Sequence, residues 1–319
     1  MNNILESLPK GFLVLAPMDD VTDTVFRQIV ADCAKPDLFF TEFVNVEALQ
    51  SAGRETALRR LIYSDKDHTL IAQIWGKNPE NFYKSAKDLI DMEFAGVDLN
   101  FGCPDKKVVK NNTGGGTINV PDVAVEIIKA TKEGLNDRIP LSVKTRIGLR
   151  DYDESWIKLL LEQKLDMLTI HFRTVREMSK YPARWEQHAE QIRKLRDEIS
   201  PNTILVGNGD VLNYQDAKSK AEMYGYDGIM IGRGVFSDPY VFSPNSTWST
   251  MSANDRIELY KNHLQLYKET YPNMERKFDP IKKFCKIYIN NFSGASDLRA
   301  RLMECKNVEE SLEILKNID

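Results

Sequence analysis

Cys103 stands in the segment Asn100-Phe101-Gly102-Cys103-Pro104, with Thr113-Gly114-Gly115-Gly116 downstream. Gly102 and Pro104 predict a tight turn around it. That sets it apart from Cys33 and Cys285, which lie on helical patterns, and from Cys305, just past one. An unperturbed thiol, with a pKa of ~8.5, is mostly protonated at neutral pH, so Cys103 is suited to donating a proton. Lys144, with Gln73 and Asn208, has the groups to hydrogen-bond the polar edge of a planar heterocycle. A lysine at the N1–O2 edge of a flavin stabilises the negative charge that develops on hydride uptake. A desolvated lysine of lowered pKa is equally the nucleophile of Schiff-base chemistry, and this residue alone leaves both open. Gly207-Asn208-Gly209-Asp210 and Gly232-Arg233-Gly234 let backbone N–H groups approach an anion beside a fixed cation, which predicts a phosphorylated ligand. His171, ahead of Phe172-Arg173, suits either phosphate binding or acid–base work. His68, His188 and His263 fall in loop or helix-surface patterns and read as structural or solvated. The histidines and carboxylates show no metal-ligand spacing, so no metal is expected.

These residues follow short apolar runs at 12–16, 38–40, 70–74, 96–99, 141–143, 167–170, 204–206 and 228–231. Each run is nearly continuous in apolar character, as parallel strands buried on both faces require. Amphipathic helical patterns lie between them, at 22–33, 79–92, 121–133, 153–163, 185–199 and 213–223. The second has Asn78 as a cap and Pro79 at the first helical position. Eight strand–helix units within about 240 residues predict an α/β fold, the (β/α)8 TIM barrel. A doubly wound open sheet normally has fewer strands. Barrel enzymes place their chemistry at the carboxyl ends of the strands, and nearly every run here is followed by a polar or cationic group. After a loop at 237–252, helical patterns at 254–269, 280–291, 296–303 and 308–315 have no strand among them. The expected organisation is a catalytic barrel over 1–245 and a small C-terminal all-helical domain over 252–319.

The chain has 319 residues, a net charge of −4, 42% hydrophobic and 28% charged residues, an ordinary globular composition that excludes disordered, collagen-like and membrane-bundle classes. Four cysteines without a CxxC argue against a disulfide framework or zinc site and for a reducing, cytoplasmic setting. The N-terminal stretch lacks the basic leader and cleavage site of a signal peptide, and no apolar stretch approaches the ~20 residues of a membrane span. Mild acidity argues against non-specific coating of nucleic acid. Local basic excess exists nonetheless. Arg276, Lys277, Lys282, Lys283, Lys286, Arg299 and Arg301 stand against Asp279 and Asp297, while Lys106, Lys107 and Lys110 flank the cysteine segment.

Taken together, these motifs make the chain resemble the tRNA-dihydrouridine synthases. The matching stretches are Ala16-Pro17-Met18, Val21-Thr22-Asp23, Phe40-Thr41-Glu42, Ala72-Gln73, the segment from Gly96 to Pro104 with Gly114-Gly115-Gly116, Val143-Lys144-Thr145-Arg146, His171-Phe172-Arg173-Thr174, Gly207-Asn208-Gly209-Asp210-Val211 and Ile231-Gly232-Arg233-Gly234. Two departures lie beside the ligand positions. Asp19-Asp20 stands where the family often has Ala-Gly, and Phe172 where it often has a small residue. The resemblance implies an FMN enzyme in which NADPH, or NADH, reduces the flavin, which then passes hydride to C6 of a D-loop uridine while Cys103 protonates C5. It implies FMN against Pro17, Met18, Asp19, Gln73, Lys144, His171, Asn208, Gly209, Asp210, Gly232 and Arg233. Asn100 would position the uracil, with Arg146, Arg173, Lys282, Lys283 and Lys286 toward the RNA. The implied partner is tRNA, the implied state a cytoplasmic monomer with no obligate protein partner and no membrane. An FMN-dependent barrel oxidoreductase acting on a small pyrimidine or enone is the alternative, against which the basic helical appendage argues. A non-catalytic RNA-binding barrel is a third reading, opposed by the intact Cys103 and Lys144.

Overall fold

The computed structural model describes residues 4–67, 69–272 and 276–316. Its strands are β1 (Phe12–Leu15), β2 (Phe39–Phe40), β3 (Val44–Asn45), β4 (Leu70–Trp75), β5 (Gly96–Phe101), β6 (Leu141–Arg146), β7 (Met167–His171), β8 (Ile204–Asn208) and β9 (Gly228–Ile231). They form one parallel sheet in the order β1-β9-β8-β7-β6-β5-β4-β2, and β3 pairs with β4 beyond β2. A bridge between Val14 and Leu38, with the Leu15 N–H donating to the Leu38 carbonyl at 3.1 Å, joins the two ends of that order and completes the barrel. Every apolar run is a barrel strand, because each strand lies between a filled interior and a layer of helices and needs apolar side chains toward both.

Local chemistry sets the helix starts. Asp23, Asn78, Asp153 and Asn213 each accept a backbone N–H from the first turn that follows, at Phe26, Glu80, Trp156 and Asp216. The helices themselves run Thr24–Ala34, Pro79–Asp91, Pro121–Leu135, Glu154–Glu162, Trp185–Ile199 and Tyr214–Tyr224. The barrel interior below the rim is apolar, with Phe12, Val14, Phe40, Ile71, Met167, Val206 and Met230 in one cluster. The larger apolar cluster lies outside the strands and runs on into the C-terminal helices Ala253–Thr270, Ala295–Glu304 and Val308–Lys316. Burial of each such side chain contributes about 1.5–3 kcal/mol.

The helix expected over 280–291 is instead two, Phe278–Lys283 and Cys285–Tyr288. Between them the backbone tightens to three-residue hydrogen bonds, from Phe284 N–H to Ile281 and from Ile287 N–H to Phe284. The break aims the Phe284 ring at Phe26, 5.2 Å away, and at His263, 5.3 Å away, so it fastens the C-terminal helices to Thr24–Ala34. His263 is buried, its ring also bonded to the Tyr288 hydroxyl at 2.9 Å. His188 stacks on Tyr152, and His68 lies outside the described residues. Among the described residues, no helix is long and apolar enough to cross a membrane.

Candidate active site

The two-residue period of a strand sends Ser142, Lys144 and Arg146 of β6 to the barrel interior and Leu141, Val143 and Thr145 to the helices. Register then places Asn100 beside Lys144, and His171 beside both Arg146 and Asn208. The result is a cavity of about 550 Å³ at the carboxyl ends of the strands. Pro17, Met18, Gln73, Asn100, Cys103, Lys144, Arg146, His171, Arg173, Asn208, Gly209, Asp210, Gly232 and Arg233 all line it.

Lys144 donates to the Asn208 Oδ1 at 3.2 Å, while the Asn208 amide donates to the Met230 carbonyl at 2.8 Å and so keeps its oxygen toward the lysine. Burial, with repulsion from Arg146, lowers the Lys144 ammonium to about 8. Arg173 approaches the His171 Nε2 at 3.1 Å. A guanidinium only donates, so this nitrogen accepts and the ring proton sits on Nδ1. Burial and the surrounding cations hold His171 well below its usual pKa and therefore neutral. Arg173 also pairs with Asp210, which takes a second ion pair from Arg233 at 3.0 Å.

The Cys103 segment has its backbone bonded on every side. The Asn100 Oδ1 accepts the N–H groups of Gly102 and Cys103 at 3.1 and 3.0 Å. The Gly102 carbonyl accepts from the Arg146 Nε at 2.7 Å, and the Cys103 carbonyl from the Gly115 N–H at 2.9 Å. The glycine triplet is needed at this contact. A Cβ on Gly115 would come within 2.9 Å of the Cys103 oxygen, and one on Gly116 within 2.4 Å of the Val109 oxygen. Partial burial pushes the Cys103 thiol up from its ordinary value, which keeps it protonated.

Four of the expected site residues lie elsewhere. Asp19 pairs with Arg60 at 3.0 Å, on the outer side of the Pro17-Met18 turn. Asp19, Asp20, Lys283 and Lys286 line a neighbouring groove of about 450 Å³ with Phe236 and Phe284. Lys282 turns back on its own helix, ion-paired with Asp279 at 2.8 Å. Arg146 and Arg173 do reach the cavity, although much of their hydrogen-bonding capacity is used on protein groups: Arg146 also holds the Thr174 and Met178 carbonyls. Phe43 and the exposed Leu212 line the cavity as well. Phe43 directly follows the Thr41-Glu42 strand end, so it was within reach of the strand-end argument.

A cavity with a protonated thiol, a half-buried ammonium, a neutral imidazole and a glycine–arginine anion cradle can stabilise charge on a bound heterocycle and hand it a proton. Comparison with known proteins narrows this. Curated relatives align over nearly the whole chain. The probable tRNA-dihydrouridine synthase of Staphylococcus aureus (strain Mu50) is 43% identical over 99% of this chain and 96% of its own. The probable tRNA-dihydrouridine synthase 2 of Bacillus subtilis (strain 168) is 42% identical over 99% and 97%. Among solved structures, morphinone reductase in complex with tetrahydroNAD superposes with a TM-score of 0.52 at 13% identity, over 76% of this chain and 90% of that one. A histamine dehydrogenase from Rhizobium sp. 4-9 gives 0.55 at 14%, over 83% and 51%; at such identities the likeness is one of fold. The family model described as Dihydrouridine synthase (Dus) matches residues 14–319, and the chain belongs to the dihydrouridine synthase family.

Proposed function

We propose that the chain is a flavin-dependent tRNA-dihydrouridine synthase, reducing the C5=C6 bond of D-loop uridines with electrons from NADPH. The observation that carries this reading is the meeting of Cys103 and Lys144 in one rim cavity of a chain that matches the family over residues 14–319. The residues present fit FMN. Lys144 is a half-buried ammonium that, among the described residues, hydrogen-bonds the neutral amide of Asn208, which leaves its charge to meet a negative ligand edge. Lys144, Arg146, Arg173 and Arg233 outnumber the single carboxylate, Asp210, in the lining. A Cβ on Gly232 would meet only Ala16 at 3.7 Å and the Met18 sulfur at 4.0 Å, so backbone is bare to the cavity where a phosphate would sit.

FMN, when bound, supplies the hydride chemistry. Gly209, Gly232 and Arg233 would hold its phosphate, and Lys144, Gln73 and Asn208 its polar ring edge. Lys144 stabilises negative charge at that edge because it is already desolvated and needs no reorganisation. Cys103 holds the proton destined for C5, and Asn100 orients the uracil. The target base must leave its stack to enter a cavity this deep. The C-terminal segment 252–319 is proposed as the tRNA-binding part, with Lys283 and Lys286 on the groove beside the cavity. NADPH over NADH, a monomeric state and a cytoplasmic location complete the reading.

The test uses tRNA from cells lacking dihydrouridine, incubated with protein, FMN and NADPH and mapped by mass spectrometry of nuclease fragments. Dihydrouridine at one D-loop position is the expected product. Its absence, with bound flavin still reducible, would transfer the weight to a small-molecule substrate.

A further inference from the structure

Below the cavity floor the hydrogen bonds line up in one direction. The Ser142 hydroxyl donates to the Asp98 Oδ1 at 2.5 Å, and the Gln73 Nε2 donates to its Oδ2 at 2.7 Å. The Asn100 Nδ2 donates to the Gln73 Oε1 at 2.9 Å, and the Asn100 Oδ1 takes the Gly102 and Cys103 N–H groups. The two ends of this chain admit one polarity. Backbone N–H groups only donate, so Asn100 must present oxygen to the cysteine turn and nitrogen to Gln73. Gln73 must then present oxygen to Asn100 and nitrogen to Asp98, which as a carboxylate only accepts. Asp98 is fully buried and does not line the cavity.

We propose that Asp98 is a positioning residue, which through the amides of Gln73 and Asn100 fixes the orientation of the turn that carries Cys103. This rests on the reading of Cys103 as proton donor, and it adds a group that touches neither substrate nor flavin. The same polarity leaves the second N–H of Gln73 and of Asn100 as the hydrogens available toward the cavity, so the floor offers donors to carbonyl oxygens. Asp98 thereby sets which edge of a ligand the floor can recognise. Buried polar chains of this kind hold only when every member is satisfied, so a single reversed link is felt along the whole chain.

A double-mutant cycle tests it in the FMN-loaded full chain, with two readouts that need no turnover: the alkylation rate of Cys103 by iodoacetamide, followed on its own peptide, and the urea midpoint. Asp98→Asn alone keeps an acceptor for Gln73 and should change both readouts clearly less than Asn100→Asp does. Its oxygen still accepts from Gln73, while its nitrogen turns to Ser142, whose hydroxyl can donate onward to the Val97 carbonyl, 3.4 Å away. Asn100→Asp should set two acceptors face to face, changing Cys103 alkylation by roughly tenfold, as the loss of one buried hydrogen bond predicts. Asp98→Asn with Asn100→Asp keeps the net charge and lets Gln73 turn round, with every link made again. Alkylation and midpoint should return most of the way to wild type.

Effects that simply combine, with no recovery in the double variant, would overturn the proposal. If Asn100→Asp fails to fold, a folded double variant supports the chain and an unfolded one overturns it. Neither readout depends on dihydrouridine formation, so this failure and that of the proposed reaction remain distinguishable.

Discussion

The Arg276 guanidinium meets the Glu42 carboxylate at two points, 2.6 and 3.0 Å, across 234 residues of sequence. Glu42 is completely buried at the end of β2 and also accepts the Asp20 N–H at 2.7 Å. The pair therefore ties the segment between the C-terminal helices Ala253–Thr270 and Phe278–Lys283 to the turn that bears Met18 on the cavity wall. Breaking a buried pair strands the remaining charge, so Arg276→Ala should cost roughly 3 kcal/mol. Glu42→Gln with Arg276→Met should recover a large part of it, read as urea midpoints. Equal loss in single and double variants would show that the pair adds nothing beyond packing.

The same residue marks where sequence stopped being informative. In the linear charge count Arg276 belongs to a basic run, but its partner lies at the far end of the chain. Arg299, likewise counted, spends a donor on the Ile289 carbonyl at 2.8 Å. The strands were legible because burial on both faces leaves an unbroken apolar signature, and the caps because Asn78 or Asp153 acts within its own first turn. Strand β3, the short helix Arg54–Leu58 and the break at Phe284 have no such local mark, and Val46–Leu49, though capped by Asn45, is too short to show a period; each depends on what packs across from it. At the site, every expected residue that lies on a barrel strand or directly after one reaches the cavity, except Asp19. Asp98 was missed because one acidic residue inside an apolar run carries no sign of the amides it will meet.

Lys144 gives the site a pH limit. Its ammonium is lowered from 10.5 to about 8, so the cation is present below that value and lost as pH rises through it. If Lys144 stabilises charge on the flavin edge, NADPH-driven flavin reduction should fall as pH rises across about 8. Lys144→Met should reduce that rate on the order of a hundredfold and abolish the step. Stopped-flow absorbance of the bound flavin between pH 6.5 and 9.5 reads both, in the range set by these ionisations. A pH-independent rate in the wild type would remove the lysine from this role. Stability runs the opposite way: the folded protein binds Lys144's proton less tightly than the unfolded chain, so the contribution of this group rises between about 8 and 10.5.

Cys103 should separate the two half-reactions. Cys103→Ala removes the proton source but no group placed against the flavin, so NADPH oxidation by bound flavin should stay within about twofold while dihydrouridine formation falls by at least ~10². Since burial raises the thiol pKa, the alkaline limb of the wild-type profile should belong to Lys144 rather than to Cys103. Near-wild-type dihydrouridine formation in Cys103→Ala would mean that the proton reaches C5 from another group.

The basic C-terminal segment yields a prediction sharper than a count of charges. Lys283 and Lys286 line the groove beside the cavity, whereas Lys282 is ion-paired with Asp279 and donates to the Cys305 carbonyl at 3.4 Å. Phosphate contacts made by lysine release counterions, so each lost contact should lower the salt dependence of tRNA affinity by a slope of about one. Lys283→Glu with Lys286→Glu should thus weaken tRNA binding at least ~10-fold at low salt and flatten its salt dependence, because it removes two cations and adds two anions. Flavin reduction by NADPH needs no RNA and should be unchanged. Lys282→Glu should affect the urea midpoint more than the affinity, since its cation already faces Asp279 and its own helix. Filter binding across a salt series distinguishes the two sets, and equal losses from both would mean that the RNA follows the whole basic segment rather than this groove.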